Sequence, residues 1–283
     1  MEKDYQLTVY SPESPLRHPV RLVATILRDL IRSRQLIWML FTRDLKASHR
    51  QSILGYVWLA LPSFATAAVW VILRSQRIIQ IETEIPYILF VLIGTTTWVS
   101  FVAFLNAPLL GFKAGKSVVV KLNVPAEAFI FSALLKVSFE TLIRFLALIP
   151  VFFIIGYAPT SKALLLPVAQ LSCFSVAVGI GLFLTPLGEL FSDIGKAVNT
   201  STRILMYSVP VIFPLGRKGW LNEILEANPL TPGIMFVRDS ITTGSMEWAG
   251  QSLLIAGITG TIGILSIVVI RIARPHLIER MGM

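Results

Sequence analysis

Lys136, Glu140 and Arg144 recur at i, i+4 and i+8 inside an otherwise apolar stretch, residues 128–158. On a helix that spacing places all three on one face. A charge in a stretch this apolar is costly and turns toward protein or water. Glu140 can pair with both cations and lower that cost. Two roles fit the pattern: a polar stripe along a conduit or headgroup site, and a salt-bridge ladder against a neighbouring helix. The near-neutrality of the trio favours the ladder. A helix that starts late would also leave Lys136 at an interface.

Other chemistry is sparse. Gly111-Phe112-Lys113-Ala114-Gly115-Lys116-Ser117 resembles a phosphate-cradling loop. That loop needs G-x-x-x-x-G-K-[ST], with four residues between the glycines, and a strand before it. Here three residues separate them, Leu110 stands where the first glycine belongs, and no βαβ pattern surrounds the motif. A short basic loop between apolar segments is the better reading. His18, His49 and His276 are far apart, and Cys173 is alone, so there is neither an intramolecular disulfide nor a metal-ligand set. The acid pairs Glu82/Glu84 and Glu189/Asp193 flank apolar runs and read as solvated interface charges. No Ser/His/Asp or Cys/His arrangement stands out, so no catalytic residue is expected and the chain does not read as an enzyme.

Aromatic residues cluster in the first apolar runs: Trp58, Trp70, Trp98, Phe101 and Phe104. Aromatic faces stack on sugar rings, and Trp also anchors proteins at membrane interfaces. For any one of them anchoring is the simpler account. Trp98, Phe101 and Phe104 keep roughly to one face by their i, i+3, i+6 spacing.

These residues need elements to position them, and the elements are apolar runs long enough to cross a bilayer. The chain has 283 residues, 54% hydrophobic and 14% charged, against roughly 25% charged in soluble domains. Its mean hydropathy is +0.73. Uncharged runs at 51–73, 85–112, 163–188 and 248–270 each suffice for a span. Residues 128–158, with their three charges, and 197–216, with Arg203, add two weaker candidates. The expectation is an all-α polytopic membrane protein of six spans, with residues 1–50 as a cytoplasmic N-terminal region and 51–283 as one transmembrane unit.

Charge distribution sets the orientation. Nine Lys/Arg fall in 1–50, three in 113–121, two in 196–203 and three in 271–280, all on one side of a six-span topology. The other side has Arg74, Arg77, Lys162, Arg217, Lys218 and Arg238. Both termini are therefore expected in the cytoplasm. The net charge of +9 is explained by an anionic leaflet rather than nucleic acid. Residues 1–35 contain three prolines and no apolar stretch of signal-peptide type.

Val20, Leu22, Val23, Ile26, Leu27, Leu30 and Ile31 recur at helical spacing with Arg21, Arg28 and Arg32 between them, and Leu36 to Arg50 follows suit. Such basic amphipathic helices lie in the interface plane. Residues 214–247 are too polar for a span. Their prolines and glycines fit two short helices joined at Asn228-Pro229. Ser175/Gly179 and Ala256/Gly260 have the small-xxx-small spacing of close helix contacts.

Three segments carry a family resemblance. Phe41-Thr42-Arg43-Asp44-Leu45-Lys46-Ala47, followed by His49-Arg50-Gln51-Ser52, Leu54-Gly55 and Trp58, resembles the entry to the first span of type-2 ABC export permeases. The nearest branch is the transmembrane subunits of O-antigen, capsule and teichoic-acid exporters. Lys121-Leu122-Asn123-Val124-Pro125 and Asn228-Pro229-Leu230-Thr231-Pro232 resemble later stretches of the same family. The resemblance covers about residues 35–275. The first motif has His49 where an aromatic residue is usual, and residues 1–34 exceed the minimal family pattern.

The resemblance implies a homodimer bound to two copies of a separate nucleotide-binding ATPase, which carries ATP and Mg; this chain itself holds no cofactor and no metal. It implies export of a lipid-linked polysaccharide across a bacterial inner (cytoplasmic) membrane. Residues 36–50 would be the interface helix. Residues 113–125, with Lys113, Lys116, Ser117 and Lys121, would couple to the ATPase. Residues 217–245 would be external gate helices. The first, second and fifth spans would line the conduit, presenting Trp58, Trp70, Trp98, Phe101, Phe104 and Tyr207. Arg43, Lys46 and Arg50 would meet an anionic headgroup at the entrance, or simply set topology. Other readings remain: a permease for another lipid or drug, a membrane-embedded lipid-sugar transferase, which needs acidic pairs such as Glu189/Asp193 in a recognisable motif, and a secondary transporter, which should show inverted repeats.

Overall fold

A computed structural model describes residues 19–49, 52–121, 124–216 and 219–281. Among these the chain is helical, without strands. Two N-terminal helices, α1 (Pro19–Arg32) and α2 (Arg34–His49), precede α3 (Val57–Ser75), α4 (Tyr87–Lys121), α5 (Glu127–Leu146) and the short α6 (Ile149–Ile155). Then follow α7 (Leu166–Leu190), α8 (Asp193–Leu205), α9 (Trp220–Ala227), α10 (Thr231–Ile241) and α11 (Ala249–Met281).

Five segments are long and apolar enough to cross a membrane: Val57–Ser75, Tyr87–Lys116, Glu127–Ile155, Ser161–Leu190 and Ala249–Ile272. They match five of the six expected spans. The remaining one, 197–216, is not a continuous helix. α8 ends at Leu205, a 3-10 turn covers Met206–Ser208, and Val209 is extended. Pro210 and Pro214 are the reason, since proline supplies no amide to an intrahelical bond. The irregular stretch is nevertheless buried at Val209, Val211 and Ile212. Its freed carbonyls find side-chain donors: Arg238 Nη2 donates to Pro210 O at 2.5 Å and Val211 O at 3.5 Å, and Tyr87 Oη to Ile212 O at 3.5 Å. Irregular backbone at this depth is tolerable only when protein satisfies it.

α4 is the central post. It packs against α3, α5, α7 and α10. Within its polar Thr95-Thr96-Thr97, the Thr95 and Thr97 hydroxyls donate back to the helix, to Leu92 O at 3.2 Å and Ile93 O at 2.8 Å, while the buried Thr96 hydroxyl has no partner among the described residues. Close approach depends on glycine. A Cβ on Gly179 of α7 would lie 2.3 Å from Thr259 O of α11, and one on Gly181 would lie 2.3 Å from Leu105 O of α4. Gly260, by contrast, has open space around its Cα, so the α7–α11 seam runs through Gly179 and Gly263.

The glycines of the phosphate-loop look-alike have the same use. A Cβ on Gly111 would meet Phe129 O at 2.7 Å, and one on Gly115 the Phe129 side chain at 2.5 Å. They let α4 lie against α5. The expected basic loop at 113–121 is instead a continuation of α4 to Lys121. Pro108 lies within α4 without ending it, no further proline follows before Pro125, and Phe129 covers the inner face of the extension.

The two ends of the bundle are distinct. At one end Arg271 of α11 pairs with Asp29 of α1 and, at 3.8 Å, with Glu127 of α5. α1 and the C-terminal part of α11 therefore share a face of the protein. At the other end lie α9 and α10, the two short helices expected around Asn228-Pro229. Asn228 shapes the turn by donating to Ser208 O at 2.9 Å and accepting from Leu230 N at 2.9 Å.

Candidate functional site

α2 lies on α5 through Leu40 and Phe41, the latter edge-on to Phe139 with ring centroids 6.3 Å apart. This contact brings Arg43 and Asp44 over the N-terminal half of α5. The result is a cavity of about 300 Å³ lined by Arg43, Asp44, Asn106, Ser132, Lys136 and Glu140, among others from α4 and α5. Two groups separate in sequence, the motif around Arg43 and the charged stripe, thus meet in one pocket.

Within it the charges are largely matched. Arg43 pairs with Asp44 at 2.8 Å. Lys136 Nζ lies 3.9 Å from Glu140 Oε1, and Arg144 Nη2 lies 3.5 Å from Glu140 Oε2. Arg144 points into the helix packing and is buried, with Nη1 on Thr141 Oγ1 at 3.4 Å. The stripe is therefore a ladder at its Arg144 end and a pocket wall at its Lys136 end. Arg43 keeps most of its side chain in the open, so its guanidinium remains available to an anion. Lys46 is exposed on α2 and does not line the cavity; Arg50 lies outside the described residues.

The aromatic residues divide into two groups. Trp58 is 54% exposed and Tyr207 51%. Trp70 joins Tyr207 at 6.5 Å and Phe213 at 5.5 Å, ring centre to ring centre. With Val69 and Ile72, also exposed, Trp58 belongs to an apolar face that α3 leaves uncovered by its own subunit. Trp98, Phe101 and Phe104 do not belong there. They are buried in the core, Trp98 stacked on Phe101 and Phe104 on Phe174 of α7 at 4.7 Å. Their shared face is real, but α7 covers it. Phe213 was missed in the sequence because its segment reads as a weak span; its place six residues after Tyr207 was the available signal.

Toward the α1 end, Lys113 and Lys116 are exposed on the extension of α4. Lys116 pairs with Glu189 at the end of α7 at 3.1 Å. Ser117 and Lys121 fall on the last turns of that helix, and their side chains lie outside the described residues.

At the opposite end Arg238 was counted in the sequence only as a flanking charge. It is 2% exposed, lies 3.6 Å over the Phe90 ring and braces the irregular strap at Pro210. Gly94 makes room for this contact, since a Cβ there would sit 2.5 Å from Val211 O and 2.7 Å from the guanidinium. Burial lowers the Arg238 pKa to about 9, opposed by Asp239, and burial raises that of Asp239 to about 6.

Among the described residues no three His, Cys, Asp or Glu converge on a point that could hold a metal ion. The geometry is one of helix faces, a charged pocket and an aromatic row.

The comparisons agree with that character. The ABC-2 type transporter family matches residues 35–242. The O-antigen export system permease protein RfbA of Myxococcus xanthus is 25% identical over 194 residues, 67% of this chain and 72% of that protein. The protein of the same name from Klebsiella pneumoniae is 24% identical over 225 residues, 77% of this chain and 85% of its own length. A membrane subunit of this type works with an ATPase partner. This chain, with its several apolar crossings, belongs to the ABC-2 type transporter family: it is a multi-pass permease subunit and not an enzyme.

Proposed function

We propose that the chain is the membrane half of an exporter that moves a lipid-linked polysaccharide, such as an O-antigen, outward across a bacterial cytoplasmic membrane. The observation that carries this is the set of aromatic side chains along α3 and the 205–213 segment: Trp58 and Tyr207 are exposed, and half-buried Trp70 lies between Tyr207 and Phe213. An apolar face with stacking surfaces suits a path for sugar rings between two copies of the chain. The names of the related permeases support the same substrate class.

Two copies form the conduit, and two ATPase subunits, holding ATP and Mg, bind on the cytoplasmic side. Both termini lie on that side, in keeping with the Lys/Arg bias and the Arg271–Asp29 contact. α2 lies in the interface plane. Residues 113–125, which begin with the α4 extension to Lys121, transmit the ATPase stroke. α9 and α10, within residues 217–245, gate the exit. The cavity between Arg43 and Lys136 receives the anionic headgroup of the lipid carrier at the entrance, with Lys46 and Arg50 nearby in sequence adding positive charge.

Segment 193–216 makes the sixth crossing as a broken helix. Ile194 lies beside Gly188 and near Leu109, while Val211 packs on Gly94. Gly94 and Leu109 are roughly 15 residues apart on α4, about 22 Å of helix rise.

Co-purification tests this reading. The tagged chain, extracted in mild detergent, should bring an ATPase subunit with it in equal amount and lose it when 113–121 becomes a Gly/Ser linker. Cells lacking the chain should accumulate lipid-linked polymer inside and lose it from the surface. Unchanged surface polymer would reject the substrate class, and absence of any ATPase would reject the coupling assignment.

A further inference from the structure

The end of the bundle that holds α9 and α10 contains a second cavity, of about 520 Å³. Separate stretches build it: residues 82–85 with Phe90 at the start of α4, residues 214–216, Glu226 of α9, one face of α10, and the turn 243–248 leading into α11. Carboxylates of Glu82, Glu84, Glu226, Asp239 and Glu247 line it together with Thr243 and the indole of Trp248. Among the described residues none of these acids is held in an ion pair.

Arg238 contributes to the wall from a buried position, and its Nε has no hydrogen-bond partner. The rest of its guanidinium is committed to Pro210 O and the Phe90 ring. The cavity thus has a fixed cationic donor at depth, acceptors around the rim and an aromatic plate at one side. Its size falls within the range of small-ligand sites.

The lining excludes most ligand classes. The acids do not converge on a point, so a metal ion lacks its ligand set. Among the described lining residues an anionic ligand meets five carboxylates for one arginine, and repulsion between the acids shows in Asp239, whose carboxyl burial raises and Glu84 and Glu247 raise further. An apolar ligand would bury those acids at a high cost. A ring bearing hydroxyls suits the lining: the carboxylates and Thr243 accept or exchange hydroxyl protons, Arg238 supplies positive charge in the wall, and Trp248 covers the apolar face of the ring.

We propose that this cavity is an exit subsite that binds one neutral or amino-bearing sugar unit of the emerging polymer and disfavours uronic acids. The proposal deepens the polysaccharide-export reading and rests on it. A sugar held here restrains the chain from slipping back between ATPase strokes.

The test uses the full permease–ATPase complex in lipid nanodiscs and saturation-transfer NMR with maltotriose, mannotriose, triacetylchitotriose and trigalacturonic acid as probes. At least one neutral trisaccharide should bind. Its affinity should fall about tenfold or more in Trp248→Ala and in Glu84→Gln/Glu247→Gln; the two glutamates are exposed, so their substitution leaves the packing intact. Trigalacturonic acid should bind at least about tenfold more weakly. The proposal is overturned if no neutral probe binds up to millimolar concentration, if the variants bind as the parent does, if the uronic acid binds equally well, or if calcium alone occupies the site. Surface polymer in cells lacking the chain separates the two levels. Retained polymer there defeats the export reading itself; lost polymer with unaltered probe binding in the variants defeats only the subsite.

Discussion

Glu140 sits between Lys136 and Arg144, and the three are unequal. Arg144 is buried and depends on Glu140, whereas Lys136 is part of an open wall. Replacing Glu140 with Gln strands a buried guanidinium, at a cost of about 3–5 kcal/mol. Thermal unfolding in detergent should show a clear loss for Glu140→Gln and recovery of most of it in Glu140→Gln/Arg144→Met. Equal midpoints for parent and single variant would mean that water reaches Arg144. Asp239 makes a second residue-level case. Burial holds its folded pKa at about 6, above the ordinary 3.8, with Arg238 opposing and Glu84 and Glu247 adding to the rise. The folded state therefore binds the proton more tightly than the unfolded one. Its stabilising share is complete below pH 4 and is lost as pH rises through 6, on the order of 3 kcal/mol. Asp239→Asn should flatten the stability profile between pH 4 and 6, measured by the same melting assay. Arg238, its neighbour, shows why residue types alone mislead: in the sequence it reads as a flanking charge, and only the folded chain brings it to the Pro210 carbonyl and the Phe90 ring.

At the scale of elements, helix seams depend on single glycines. Gly179→Ala places a carbon against the Thr259 carbonyl and forces α7 from α11, costing about 1–3 kcal/mol or more. Gly260→Ala meets open space and should change the melting temperature little. Similar losses in both would show that the seam runs elsewhere. The small-xxx-small spacing in the sequence pointed to both helices without choosing between a contact within the subunit and one between two copies; within the chain Gly179 and Gly263 make the contact, and Gly260 stays open. The extension of α4 through 113–121 carries an element-level prediction too. Because it is helical and continuous with a buried span, replacing Lys113 and Lys116 with Ala should spare folding. If the extension couples, transport-linked ATP hydrolysis in the complex should drop several-fold. Unchanged hydrolysis would move the coupling contact elsewhere.

At the scale of the whole molecule, α1 is tied to the bundle by Arg271, which bridges Asp29 and Glu127. Arg271 is only partly buried, so Arg271→Ala should cost about 1 kcal/mol or less in global stability. The N-terminal helix should nonetheless become faster in hydrogen exchange and more open to protease than α2. No change in α1 protection would mean that packing alone holds it. The sequence by itself determined the class of this protein. Long uncharged runs demand helices in lipid, the Lys/Arg bias gives them a consistent orientation, and the motif at Phe41–Trp58 places the chain among export permeases. These properties are local or additive along the chain, which is why they can be read without coordinates. Tertiary structure decided what depends on distant segments meeting. It buried Trp98, Phe101 and Phe104 beneath α7 while leaving Trp58 and Tyr207 open, joined Arg43 to Lys136 in one pocket, and turned a phosphate-loop look-alike into a packing seam for Phe129. It also broke the 197–216 segment, because a buried proline-containing stretch survives only if another element supplies its missing donors, and Arg238 and Tyr87 do so from far along the chain.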